Sequence, residues 1–441
     1  MDRKGKGPID FADARQGSLE NSVSKTCETK SPASSAKGPS RFALNRRHFL
    51  AAGAATLATP YLSKIARAQG SDVNVGVVVP LSGANAQFGV NSRNGIQLAA
   101  DQINDNGGIK ALGGAKINLI IADSTSTPTN AATVGQRLIA QQNVVAILGA
   151  YASSLSLALS EATERRDVPL LTMSFSDMIT GRGFKNVFQV ISKATTMGAA
   201  QLQGPAGVAE KAGKPLKSIA IMYEDTAFGT SQAGGLRETA AELGIEVVMD
   251  EAYPLGITDV TPLINQLRGT NADAVFPCSY LNDGVQIIRT MRQQGIDMPV
   301  IGGAGGYVIP DFRAALGEYA ENVFSVAPSN YDLAPELTDP FKERFGYFMV
   351  HEAIEHAVCL DVLAKALEIS GDTDSDALRE ALRNNRFEGG WAGIIPGGGV
   401  DFDETGLNTL AKPIIVQWRG EDLTTVWPDD VATKDAVWAG K

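Results

Sequence analysis

The chain has 441 residues, 44% hydrophobic and 20% charged, with a formal charge of −10. That is ample for a large core, and the length favours two lobes over one domain. Residues 1–68 hold 12 Lys and Arg against 5 Asp and Glu, so about −17 falls on the remainder, and such an acidic surface argues against nucleic acid and anionic membranes as partners.

Residues 1–45 are rich in Ser, Lys and Gly without periodicity and read as a disordered leader, either a true extension or a mis-assigned start. Asn45, Arg46, Arg47, His48, Phe49 and Leu50 open a short run of small and apolar residues, and Ala66, Arg67 and Ala68 form a cleavage pattern before Gln69. Charged start, apolar stretch and small-residue site make 46–68 a secretory signal. The paired arginines match its twin-arginine variant. The apolar stretch is too short, and too rich in Ala, Gly and Thr, for a membrane anchor, so no insertion is expected after the signal is removed.

From Asp72 short β-branched runs alternate with helical periods. Strands are predicted at 73–79, 117–122, 144–148 and 168–172, with helices at 89–105, 129–142 and 154–166 between them. This is βαβ repetition, which demands a parallel sheet. The pattern restarts with strands at 219–223, 246–251, 274–277 and 300–302 and helices at 228–243, 260–269 and 282–294. A long helical region at 340–369, a helix at 375–385 and a hairpin from strands at 414–418 and 423–427 complete the prediction. Cys27 falls in the leader, while Cys278 and Cys359 read as small buried hydrophobes whose pairing the sequence does not decide.

Ligands of parallel α/β sheets sit beyond the carboxyl ends of the strands, so the loops after each strand carry the candidates. Gly149, Ala150, Tyr151, Ala152, Ser153 and Ser154 follow a strand and open a helix, whose free amides and dipole suit an anion, although ordinary capping explains them equally well. Thr172, Met173, Ser174, Phe175 and Ser176 follow the next strand. Phe88, Tyr151, Phe175, Phe228 and Tyr280 all fall in such loops; five aromatics at one end suggest an apolar-walled pocket rather than mere lids on the core. His351, Glu352, Glu355 and His356 invite a zinc reading, but the histidines are at i and i+5, about 140° apart around a helix. Surface ion pairs at i,i+4 are the expectation. G-x-S-x-G, G-x-G-x-x-G and Walker patterns are absent, and the part after the signal has only those two histidines, so no enzyme is read here.

Residues 72–427 resemble the periplasmic branched-chain amino-acid-binding proteins, the type I solute receptors of ABC transporters. The resemblance is carried by V-G-V-V-V-P-L-S-G-A-N-A-Q-F-G at 75–89, A-D-Q-I-N-D-N-G-G-I at 100–109, residues 149–154, and I-A-I-M-Y-E-D-T-A-F-G at 219–229, in that order and spacing. It implies an α/β chain of two Rossmann-like lobes, 72–191 with 326–410 and 192–325 with 411–441, joined by a three-segment hinge. It implies no cofactor and no metal, a monomer in the periplasm, a small-molecule solute, and ABC permease subunits of the inner membrane as partners. The solute would be a small amino acid, amide or carboxylate. A second reading is a periplasmic ligand-sensing module that regulates a partner protein.

Carried over position by position, the resemblance places Ser153 and Ser154 at an α-carboxylate, and Ser174 and Ser176 at the ammonium and carboxylate. Phe88, Phe228 and Tyr280 fall on the aromatic wall and Tyr151 against the ligand side chain. It departs at Ala304, where the family has an acid for the α-ammonium. Either Glu224, Asp225 or Asp283 substitutes, or the ligand has no ammonium. The family's two cysteines near Ser126 and Ala152 are also missing.

Overall fold

The computed structural model describes residues 71–439; the leader, the twin-arginine segment and its cleavage pattern lie outside them. β1 (Val73–Val79) is a nearly continuous buried run of valines, as expected of a strand covered on both faces. It pairs in parallel with β2 (Ile117–Asp123) on one side and β3 (Ala146–Gly149) on the other. β4 (Leu170–Thr172) and β5 (Val187–Gln189) extend the sheet, in the order β2-β1-β3-β4-β5, all parallel. The crossovers are α1 (Ala86–Asp105), α2 (Pro128–Gln142) and α3 (Ser153–Glu164), and α2 packs on α3.

α4 (Ala194–Lys211) then carries the chain to a second set of strands. β6 (Ser218–Glu224), α5 (Ala227–Leu243), β7 (Glu246–Tyr253), α6 (Thr261–Gly269), β8 (Ala274–Cys278), α7 (Leu281–Gln293) and β9 (Ile301–Gly302) repeat the parallel pattern. α8 (Pro310–Leu316) leads to β10 (Phe324–Ala327), which lies parallel to β9. The order β7-β6-β8 continues into β9 through a single bridge between Val275 and Val300.

The chain next returns to the first sheet. α9 (Pro335–Phe345) is followed by α10 (His351–Ser370), which packs along α1 and touches β3 and β4, and by α11 (Ser375–Arg383). The contact of α1 with α10 depends on Gly95, where a Cβ would fall 2.1 Å from the Ala353 carbonyl oxygen. α10 is buried on all sides over its first ten residues, and each large apolar side chain it buries is worth about 1.5–3 kcal/mol. β11 (Arg386–Phe387) and β12 (Val400–Asp401) form a short ribbon. β13 (Ile414–Arg419) and β14 (Asp422–Trp427) are an antiparallel hairpin, and β13 pairs with β10 in the second set. The described chain thus crosses between its two halves three times. Two of the crossings are tied together where Ser192 Oγ donates to the Ala411 carbonyl at 2.8 Å.

Two sequence expectations need correction. The helical region 340–369 is two helices, because Gly346 takes a left-handed C-cap (φ 84°) and residues 346–350 leave the helix. Helix α4 and strands β5 and β10 went unread. α4 carries Pro205 in its interior among several glycines, and β5 and β10 have only 3 and 4 residues. Cys278 and Cys359 are both free and buried, as small hydrophobes would be.

Candidate functional site

The loops that follow the strands of both halves converge. Phe88 lies in the first turn of α1, and its ring stacks on Tyr151 with centroids 4.5 Å apart and planes 12° from parallel. Tyr280, which precedes α7 in the other half, sits 6.1 Å from Phe88 and 6.2 Å from Tyr151. Phe228, from the first turn of α5, lies 5.5 Å from Tyr280 and 5.6 Å from Phe175. All five rings are buried. Aromatic side chains of the two halves therefore meet in one cluster of one stacked and several tilted pairs, with centroid spacings in the range such rings prefer.

Tyr151 is held in a costly backbone conformation. Its φ of 77° is rare for a bulky residue and is worth about 1–3 kcal/mol of strain. Ser174 pins it: the Ser174 hydroxyl donates to the Tyr151 carbonyl at 2.6 Å and meets the Ser156 hydroxyl at 2.6 Å. Ser174 is thus engaged in fixing the loop. Ser153 Oγ accepts the Ser176 amide at 3.1 Å, joining the two serine loops, and Ser176 Oγ reaches Ser231 Oγ of α5 at 3.3 Å across the halves. Ser153 and Ser154 are the first residues of α3, and among the described residues neither amide has a backbone acceptor. Ser154 is half-buried beside them.

Ala304 is fully buried in a strained loop (φ 63°, ψ −132°), its amide bonded to Ser325 Oγ at 3.0 Å. The glycines around it let the loop press on the start of α7; a Cβ at Gly306 would fall 2.3 Å from Leu281 Cα. Of the three acids weighed as substitutes, Glu224 is taken up by α5. It accepts the Thr226 amide at 2.7 Å, the Thr226 hydroxyl at 2.8 Å and the Gly229 amide at 2.8 Å. Burial still raises its carboxyl above the usual range. Asp225 Oδ1 accepts the Leu255 amide at 3.3 Å, and Asp283 Oδ2 the Gly256 amide at 3.3 Å.

The expectation of surface ion pairs at the start of α10 is overturned. His351, Glu352, Glu355 and His356 are all buried, because the helix that carries them is enclosed on every side. His351 Nδ1 does pair with Glu355 Oε2 at 2.9 Å, but His356 Nδ1 turns to the Glu352 carbonyl at 2.9 Å, not to its carboxylate. Burial pushes the Glu352 carboxyl up to about 7 and the His356 imidazole down to about 4. Burial opposes charge on His351 too, yet Glu355 and Glu352 outweigh it and raise its affinity for a proton. The cluster adjoins the aromatic site: the His351 ring is 6.2 Å from Phe175. Little in the sequence signals this burial, since the four residues share one side of the helix, as a solvated face would.

Two parallel α/β halves, three chain crossings and an aromatic cluster between strand-end loops define the type I periplasmic binding fold. The chain belongs to the periplasmic binding protein family, whose profile matches residues 72–421. It is 30% identical to Leu/Ile/Val-binding protein homolog 8 of Brucella melitensis over 392 residues, covering 86% of this chain and 96% of that protein. Leu/Ile/Val-binding protein homolog 7 of Brucella suis is 30% identical over 381 residues, covering 83% and 94%. Among solved structures, a leucine-binding protein of Thermotoga maritima superposes with a TM-score of 0.72 at 23% identity, over 81% of this chain and 99% of that one. A solute-binding protein of an ABC transporter from Rhodopseudomonas palustris, in complex with 3,4-dihydroxybenzoic acid, gives 0.71 at 23% identity over 83% and 98%. Among the described residues no helix is long and apolar enough to cross a membrane.

Proposed function

We propose that this chain is an exported solute receptor that closes around a small amino acid, amide or carboxylate and passes it to the permease subunits of an ABC importer. Its lobes would be 72–191 with 326–410 and 192–325 with 411–441, hinged at the three crossings, and the twin-arginine segment would take it to the periplasm. Phe88, Tyr151, Phe228 and Tyr280 would wall the solute. The amides and hydroxyls of Ser153 and Ser154, with Ser176, would hold a carboxylate, and the Ser174 hydroxyl would keep Tyr151 in place. Ala304 would leave that side of the site without an acid.

One observation carries this reading: rings from both halves meet in one cluster that includes Tyr151, from the loop that opens α3. A solute that touches both halves stabilises only the closed state, so binding shifts the population toward it. The relatives whose names specify Leu, Ile or Val, and the neighbour that holds an aromatic acid, support a small organic solute. The test is a thermal-shift screen of the processed chain against amino acids, their amides and short aliphatic or aromatic acids. A binder at 100 times its dissociation constant adds about 2.7 kcal/mol of stability. Absence of any shift, with calorimetry equally silent, overturns the proposal.

A further inference from the structure

We infer that Tyr151, His351 and Glu352 form a buried subsite for a positively charged N–H group of the solute, an ammonium or amidinium, in place of the acid missing at Ala304. The inference rests on the receptor reading and narrows it to N–H-bearing solutes.

The geometry is that of a carboxylate oriented by its neighbours with one oxygen unused. Asn91 lies one turn beyond Phe88 on α1. Its Oδ1 accepts from the Tyr347 hydroxyl at 2.7 Å and from Gln87 Nε2 at 3.2 Å, so its amide nitrogen must face Glu352, to which it donates at 2.8 Å. Glu352 Oε1 is thereby occupied. Glu352 Oε2 has no hydrogen-bond partner among the described residues and stands 3.4 Å from His351 Nε2, which has none either.

The other side of the imidazole is fixed. His351 Nδ1 is bonded to Glu355 Oε2 at 2.9 Å, and the second oxygen of Glu355 accepts from Ser329 Oγ at 2.5 Å. Two carboxyls share one imidazole, so once both are ionised a single protonated ring leaves one negative charge over. Arg93, on the same helix as Asn91, turns its guanidinium to Asn94 Oδ1 at 3.0 and 3.3 Å. Without a bound cation, burial keeps a proton on Glu352 up to about 7; a bound cation would let that carboxyl ionise and pair with it.

An independent observation links this cluster to the solute site. The Tyr151 hydroxyl is buried, with the residue only 4% exposed, and has no hydrogen-bond partner among the described residues. Burial raises its ionisation well above the ordinary range, and the charges of Glu352, Tyr280 and Glu355 raise it further. The ring that walls the solute site therefore ends in an unpaired hydroxyl, and it stacks on Phe88, one helical turn from the Asn91 that holds Glu352. A cationic N–H group in reach of Tyr151 Oη and Glu352 Oε2 satisfies both, and charge-assisted bonds of this kind are the strong ones.

The experiment is calorimetry on the processed chain with matched probes: 3-methylbutylamine against 4-methylpentanoate, benzamidine against benzoate, and leucine, which carries both groups. The cationic member of each pair is expected to bind about ten-fold or more tightly than its acid. Glu352→Gln removes that preference. Tyr151→Phe, which keeps the stacked ring, reduces it, with circular dichroism reporting the fold of both variants. If the acids bind as well as the amines and Glu352→Gln changes neither, the subsite is overturned while the receptor reading stands. If no cationic probe binds the unaltered chain, the subsite falls, and the receptor reading falls with it only where the wider screen is silent too.

Discussion

Ser153 occupies the first position of α3, where proline removes an amide without breaking a helix. Ala152 before it is already extended (φ −68°, ψ 135°), the conformation that a following proline requires. Ser153→Ala removes only the hydroxyl that accepts the Ser176 amide, whereas Ser153→Pro also removes the α3 amide. If that amide grips a carboxylate, Ser153→Pro should weaken an acidic solute beyond Ser153→Ala by about 1–2 kcal/mol, read by calorimetry. Equal affinities for the two variants would remove the helix start from the site. That Ser153, Tyr151 and Phe88 fall at strand ends was legible, because the strands before them follow a local pattern. The carboxylate Glu352 was not, because its burial depends on α10 lying against α1, a contact between segments 261 positions apart.

Glu352 also bears on stability. With its carboxyl raised to about 7 by burial, the folded chain keeps a proton that the unfolded chain has released. The resulting stabilisation is present in full below the ordinary carboxyl value of 4.5 and is lost as pH climbs through about 7. His351 and Glu355 of the same helix, raised likewise, act in the same direction, while His356, depressed to about 4, acts in the opposite one over the acid range. The Tyr151 and Tyr347 hydroxyls face the group as well but titrate far above this window. Glu352→Gln cannot titrate, so its stability relative to the original should rise between pH 5 and 8, by on the order of 1–3 kcal/mol in denaturant melts without solute. A difference independent of pH would show that Glu352 is ionised throughout.

At the scale of elements, the packing of α1 on α10 holds both Phe88 and Glu352 in register. Gly95 permits it, since any Cβ there meets the Ala353 carbonyl at 2.1 Å. Gly95→Ala should force the helices apart and cost about 1–3 kcal/mol of stability, measured as a fall in the denaturation midpoint. Solute affinity should fall with it, because Asn91 is on the same helix as Gly95 and Glu352 is next to Ala353. Most helices and strands were readable within a few residues, as their 3.6- and 2-residue periods are local properties. α4 was not: Pro205 and the glycines around it weaken every local helix signal, and the helix stands because it packs on α5, β10 and β13.

At the scale of the whole molecule, two sheet halves repeat in the sequence as two βαβ series, so their number was legible. Their closeness was not, because it is decided by contacts between loops far apart in the chain. Ser176 Oγ and Ser231 Oγ, 3.3 Å apart, mark where the halves touch, and Cys278 and Cys359 are buried away from solvent. A chain carrying Ser176→Cys and Ser231→Cys should therefore form its new disulfide only while the halves are together. If closure is a population shift, a bound solute should speed that oxidation, seen as faster loss of free thiol and a mobility change on a non-reducing gel. Small-angle scattering of the unsubstituted chain should show a matching fall in radius with solute. A rate of disulfide formation untouched by a solute that calorimetry shows to bind would mean that the halves do not open, and the receptor would have to take up its solute by local motion of the serine loops instead.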